Sequence, residues 1–224
     1  HNDLLSMLLG WHAVNGRADK LLRDHILSLS LAGHETTANA LSWAWYRLSE
    51  NPDARVKLQA DFDTVLGVRP AGFSDLAKLD YARKVFEETL RLYPPVWTIS
   101  RAPQADDETG GVRIPPGPPV MLSPYVVHRR HEYWRDPERF DPERFAPENI
   151  AARPMHAYFP FGGGPRTCLG NRFGMMEGQL IMATVMQRFS MTLDPTCVIE
   201  PEPMITLRPR NGVRVRIAHR QPQH

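Results

Sequence analysis

From Asp19 to Ser49 the chain runs without a proline and with one internal glycine, Gly33. Leu21, Leu22, Ile26, Leu29, Leu41, Trp45 and Leu48 give this stretch apolar faces at helical spacing. The pattern predicts one long helix, a rod of roughly 45 Å at 1.5 Å per residue. A rod as long as a whole domain predicts a central beam. Before it, Asp3 to Leu9 is short and apolar and reads as the end of a helix, followed by a loop at Asn15-Gly16. After it, Asn51 is a good N-cap and Pro52 a good first helical residue, so a helix is predicted to about Leu66. Gly67, Pro70 and Gly72 break it. A short helical turn at Ser74 to Lys78 and a helix from Asp80 to Tyr93, stopped by Pro94-Pro95, come next.

The pattern then turns to short strands at Thr98 to Arg101, Val112 to Ile114 and Pro119 to Leu122. The last two flank Pro115-Pro116-Gly117-Pro118, which predicts a hairpin between them, at a sheet edge because of the prolines. Ser123 to His128 fits a short helix, and Trp134 through Pro154 has no clean period and reads as a packed meander. Phe173 to Phe189 is an apolar run of helical length. Its methionines (Met175, Met176, Met182, Met186) are most simply core packing. The tail alternates Val213-Arg214-Val215-Arg216-Ile217, a half-exposed strand with its apolar residues on one side. The predicted fold class is mainly α with small β-sheets.

Composition narrows the field. With 42% hydrophobic and 23% charged residues the 224-residue chain is ordinary globular material. A formal net charge of +2 gives no reason to expect nucleic acid. The two cysteines, Cys168 and Cys197, exclude a disulfide scaffold and a cysteine-based zinc site. No run of 18 apolar residues suggests a membrane span. The first residue is His1, and no targeting pattern precedes the first helix-like segment, so the chain reads as a piece of a longer protein. A cytoplasmic location is expected, with any anchor upstream outside view.

Candidate chemistry centres on Phe161-Gly162-Gly163-Gly164-Pro165-Arg166-Thr167-Cys168-Leu169-Gly170. A metal-binding cysteine is a thiolate and needs positive potential. Arg166 stands two residues before the sulfur, the glycines let backbone amides converge, and a helix would start just behind. One cysteine held this way suits an iron with a single protein ligand, as in an axial haem thiolate. Taken alone, a cysteine near a glycine run is a surface turn. Mid-beam, Ala32-Gly33-His34-Glu35-Thr36-Thr37 is poor helix material. Its glycine lets something flat approach, and a threonine hydroxyl can bond the carbonyl four residues back. His34-Glu35 begins like a zinc helix, but Ala38 stands where the second histidine belongs. Glu88-Thr89-Leu90-Arg91 puts Glu and Arg on one helix face, by itself an exposed pair worth a few tenths of a kcal/mol. Pro-Glu-Arg-Phe occurs twice, at 137–140 and 142–145.

The cysteine stretch has the form F-x-x-G-x-R-x-C-x-G, and with the other segments it resembles the cytochrome P-450 family, the haem-thiolate monooxygenases. The motifs stand in the family's order over essentially the whole chain. Gly174 departs from the family's usual Ala, which costs helix propensity but removes no chemistry. The resemblance implies a single domain over 1–224, the C-terminal part of a haem domain starting near the long central helix. Haem b would be ligated by Cys168, with Arg166 and Arg101 at its propionates and Ala32, Gly33, Phe161, Gly162 and Gly170 around it. A solvated surface role for Arg101 stands beside this. Glu35 and Thr36 would be the acid and alcohol of proton delivery, and Glu88, Arg91 and Arg144 a structural network, with Arg139 the alternative third member.

The activity implied is insertion of one oxygen atom from dioxygen into a small, apolar organic substrate. Electrons would come ultimately from NAD(P)H through a ferredoxin or flavoprotein reductase. The missing N-terminal half of the fold is itself an implied partner. The alternatives are a truncated or split fragment that keeps the motifs without holding haem, and a peroxide-using haem-thiolate enzyme, against which the intact Glu35-Thr36 pair argues.

Overall fold

The computed structural model describes residues 3–16 and 19–220. Helix α1, Leu4–Asn15, starts where Asp3 accepts a hydrogen bond from Ser6 N (2.7 Å) and ends at Gly16 in the left-handed region (φ 56°). Asp3 therefore opens a helix that runs on to Asn15, where the sequence reading ended one near Leu9. Helix α2, Asp19–Glu50, is the predicted beam, 32 residues or about 48 Å long. Only its second half is built into the core, through Ala40, Leu41, Trp43, Ala44 and Leu48. The apolar residues of its first half are half-buried or exposed. Helix α3, Pro52–Leu66, has proline in its first turn as expected. A 3-10 turn, Phe73–Lys78, leads into α4, Asp80–Leu92, which is buried along most of its length.

Strands β1 (Ile99–Arg101), β2 (Asp107–Thr109), β3 (Val112–Ile114) and β4 (Val120–Leu122) correct the predicted hairpin. β3 pairs with β2, and β4 pairs back with β1. The tight turn is Gly110-Gly111, both at positive φ (59° and 78°), which a two-residue hairpin loop demands. The proline-rich link after β3 only spaces the two pairs apart. Helix α5 (Pro124–Val127), a 3-10 turn at Pro142–Phe145 and α6 (Pro147–Ala151) punctuate the meander, whose Trp134, Phe140 and Phe145 are buried.

Helix α7, Asn171–Met186, ends sooner than predicted, because Phe189 already belongs to a strand. Strands β5 (Phe189–Leu193), β6 (Pro201–Pro203), β7 (Leu207–Pro209) and β8 (Val215–His219) follow. β5 pairs with β8 and β6 with β7. The tail strand thus begins after Val213, and Ile217 on it is exposed, so the alternation does not bury an apolar face. Among the described residues, all four sheets are two-stranded and antiparallel. No helix among them is long and apolar enough to cross a membrane. Both cysteines are free.

The core lies where α2, α3, α4 and α7 meet, around Leu48, Leu58, Phe62, Val85, Phe86 and Met182. Gly178 of α7 lies against the Phe86 ring of α4 so closely that a methyl there would overlap it. This contact holds α7, and the loop before it, tight against α4.

Candidate haem-thiolate site

The cysteine loop is held by its own backbone. Gly162 (φ 74°) and Gly164 (φ 66°) take left-handed conformations that turn the chain twice before a 3-10 turn at Gly164–Arg166. Gly162 N donates to Phe159 O (3.0 Å), Thr167 N to Gly164 O (3.1 Å) and Cys168 N to Phe161 O (2.9 Å). Gly170 caps α7, and a Cβ built on it would lie 3.9 Å from Cys168 Sγ. The sulfur therefore lies beside the N-cap of α7, at the positive end of the helix dipole, while Asn171 N and Arg172 N donate to Cys168 O and Asn171 Oδ1. Cys168, Arg166 and Gly170 are exposed, and Phe161 is half-buried against the core. A Cβ on Gly162 would come to 3.6 Å from Ile99 Cδ1, so the loop leans on β1, the strand that carries Arg101. Arg101 itself is exposed and turns its Nη1 onto Ser100 O (2.9 Å).

On α2, Thr36 Oγ1 donates to Ala32 O (2.7 Å). Glu35 accepts at Oε1 from the hydroxyl of Thr206 (2.5 Å), which in turn accepts from Asn39 Nδ2 (3.0 Å). Thr206 is buried between β6 and β7, and that hairpin is tied down by Leu207: its O accepts from Trp43 Nε1 (3.1 Å) and its N donates to Pro95 O (2.8 Å). Ala32 and Gly33 are exposed, and a Cβ on Gly33 would meet nothing within 4 Å.

Glu88 and Arg91 are both fully buried, not the exposed pair that their spacing alone would give. Arg91 Nε and Nη2 donate to the two Glu88 oxygens (2.6 and 2.8 Å), and Asp141 N donates to Oε1 (2.8 Å). Arg144 places Nε 3.5 Å from the same Oε1, whereas Arg139 contributes only a backbone carbonyl, which accepts from Arg91 Nη2 (3.2 Å). Burial pushes the Glu88 carboxyl above its usual range, against the pull of Arg91, the Asp141 amide and Arg144. Near the loop, Phe161, Phe173, Met175 and Met176 line an open, mostly apolar hollow of about 640 Å³.

Sequence reasoning missed two residues. Thr206 holds Glu35, and its signal is a contact across 171 positions. His128 is fully buried between Arg91 and Phe159. It was visible only as the end of a short helix.

Comparison with known proteins now defines the class. The family model described as cytochrome P450 matches residues 1–215, and the chain belongs to the cytochrome P450 family. It is 43% identical over 190 residues to cyclooctatin synthase of Streptomyces melanosporofaciens, covering 85% of this chain and 41% of that protein. It is 34% identical over 223 residues to pentalenene oxygenase of Streptomyces avermitilis, covering 99% of the chain and 50% of the relative. Human cytochrome P450 4V2 is 37% identical over 202 residues, 89% of the chain and 38% of the relative. The crystal structure of the cytochrome P450DA heme domain superposes with a TM-score of 0.87 at 27% identity, over 92% of this chain and 46% of that one. The fold is therefore that of the family. The chain spans about half the length of the curated relatives it matches, or less.

The family implies haem, and the residues present fit it. Cys168 offers a single exposed sulfur over a helix start, and α2 is open at Gly33 to a flat group. Among the described residues no group of three or more His, Cys, Asp or Glu gathers as a metal site.

Proposed function

We propose that this chain is the C-terminal part of a haem-thiolate monooxygenase domain, one that inserts an oxygen atom from dioxygen into a small, apolar organic substrate. The observation that carries the reading is the cysteine loop, with its sulfur held over the start of α7 by a backbone fixed at Gly162 and Gly164. Pentalenene oxygenase, one of the relatives, is by its name an oxygenase. Haem b, held by the Cys168 thiolate, would supply the oxygen-activating chemistry, which a thiolate ligand favours. Arg166 and Arg101 would hold its propionates by charge-assisted hydrogen bonds. Ala32, Gly33, Phe161, Gly162 and Gly170 would lie along its faces.

The chain's own residues handle protons. The Thr36 hydroxyl gives its hydrogen to Ala32 O, so its oxygen is presented as an acceptor. Glu35 holds its carboxylate still through the bond from Thr206 and is the acid that relays protons beside Thr36. Electrons come from NAD(P)H through a ferredoxin or flavoprotein reductase. The remaining half of the fold covers the faces that this chain leaves open, and a cytoplasmic setting belongs to the same reading. A remnant without haem is not favoured, because the loop, the α2 pair and the Glu88–Arg91 pair are all organised.

The test is to load the purified chain with haem, reduce it, add carbon monoxide and record the difference spectrum. A red-shifted Soret band that vanishes in Cys168→Ala supports the reading. No haem uptake, or a band unaffected by that substitution, removes it.

A further inference from the structure

We infer that His128 is a positioning residue for the cysteine loop: its ring joins the buried Glu88–Arg91 pair to the backbone that enters the loop. The inference rests on reading Cys168 as the iron ligand only for its consequence, not for its geometry.

His128 and Arg91 clasp each other. Arg91 Nη1 donates to His128 O (2.8 Å), and His128 Nδ1 lies 3.2 Å from Arg91 O. The other ring nitrogen, Nε2, accepts from Phe159 N (2.9 Å). Because Nε2 accepts, the proton of a neutral ring sits on Nδ1 and is donated to Arg91 O. One imidazole thus satisfies a carbonyl on α4 and an amide at the loop entrance. From Phe159 the connection is backbone throughout. Phe159 O accepts from Gly162 N (3.0 Å), and Phe161 O accepts from Cys168 N (2.9 Å). A shift of Phe159 is therefore passed to the cysteine through two hydrogen bonds and a short stretch of chain.

The ring itself cannot wander. Tyr158, Phe159 and Trp134 surround it at centroid distances of 5.1, 5.4 and 6.4 Å. Burial, with the Arg91, Arg129 and Arg153 guanidiniums nearby, keeps it neutral. A residue that only fills core volume has no need of both nitrogens. Here both are used, and at neutral pH a neutral imidazole alone offers a donor and an acceptor on opposite sides of a rigid ring. The pair on α4 and the loop under the cofactor are thereby one hydrogen-bonded unit rather than two neighbouring features.

Two substitutions split the ring's functions. His128→Gln places an acceptor near Nε2, and His128→Asn places a donor near Nδ1. Amide exchange at Phe159, Gly162 and Cys168, whose N–H groups are all hydrogen-bonded, needs no haem. With His128→Asn, these exchange rates are expected to rise about tenfold, as for loss of one buried hydrogen bond. His128→Gln should stay near the parent at the loop. After haem loading, the thiolate carbon monoxide band should weaken in His128→Asn and persist in His128→Gln. Should His128→Asn fail to fold, Phe159→Pro, which deletes the amide hydrogen, is compared with Phe159→Ala, which keeps it. The proline variant alone should free the loop. Equal behaviour of the Asn and Gln variants, or of the Pro and Ala variants, overturns the proposal, as does faster exchange spread evenly over α4 and α7. If the loop responds as expected but no variant takes up haem, the haem reading fails while the positioning role stands.

Discussion

At the scale of the residue, burial decides what a motif is worth. Glu88 and Arg91 at helical spacing would contribute little on a surface, but at zero exposure their stakes are larger. Removing one partner strands the other in a medium that solvates it poorly. Glu88→Gln leaves both Arg91 and Arg144 short of an anion and should cost about 3–5 kcal/mol, read as a fall in the urea midpoint. A loss below 1 kcal/mol would mean that water reaches the pair. His128 makes a second, pH-dependent case. Burial and three neighbouring arginines hold its pKa down at about 3, from 6.5. The unfolded chain thus takes up a proton that the folded one refuses. The stabilisation is complete above pH 6.5 and declines toward pH 3, by about 1.4 kcal/mol per pH unit for this group. Stability measured against pH should fall less steeply in His128→Gln. Equal slopes would show that the imidazole is not the group responsible. The Glu88–Arg91 pair was legible because it stands in a local pattern, and Cys168 and Glu35 were singled out on the same ground. His128 and Thr206 were not, since their partners lie 31, 37 and 171 positions away and no local period records such a bond.

At the scale of the element, local rules worked where one signal spoke alone. Pro52 opened α3 and Pro94 stopped α4 within two residues of prediction, whereas α1 ran six residues past its predicted end near Leu9. They failed where signals competed. The prolines at 115, 116 and 118 drew the hairpin to themselves, although Gly110-Gly111 had the backbone freedom that a two-residue turn requires. On α2, the poor helix formers at 33, 36 and 37 cost helix stability, and in the proposed reading the helix is shaped there for contact. Gly33 has open space where a Cβ would go. Gly33→Ala should therefore stabilise the cofactor-free chain by about 0.5–1 kcal/mol through helix propensity. The same methyl would obstruct a flat group lying on α2, so haem titration should show weaker uptake. A variant that is both more stable and fully competent for haem would place the cofactor away from Gly33. Gly178 is the opposite case. There a methyl meets the buried Phe86 ring, and Gly178→Ala should destabilise by about 1–3 kcal/mol in thermal unfolding.

At the scale of the whole molecule, the well-packed and open regions divide along α2. Its second half joins α3, α4 and α7 in the core, while Leu27 and Leu31 in its first half are 51% and 69% exposed. Met7 on α1 is 69% exposed, Leu169 beside the cysteine is 91% exposed and Phe173 on α7 is 59% exposed. Scattered apolar residues need no explanation, and several stand elsewhere, such as Val68, Met155 and Ile205, but α1 and the first half of α2 carry a run of them, Leu4, Leu5, Met7, Leu9, Leu27 and Leu31. The relatives are about twice as long or more, and in the proposed reading their remaining helices close these faces. Two consequences can be measured together. The chain alone should bind a hydrophobic dye while keeping a cooperative thermal transition, because its core is packed while apolar residues on α1 and the first half of α2 are exposed. Adding the separately expressed complementary half of cyclooctatin synthase, the 43% identical relative, should then quench the dye signal and slow the loss of haem. Quenching without slower haem loss would mean that the faces are covered but the cofactor is held by this chain alone. A chain that binds no dye would have closed those faces by itself, and the division of labour between the two halves would have to be redrawn.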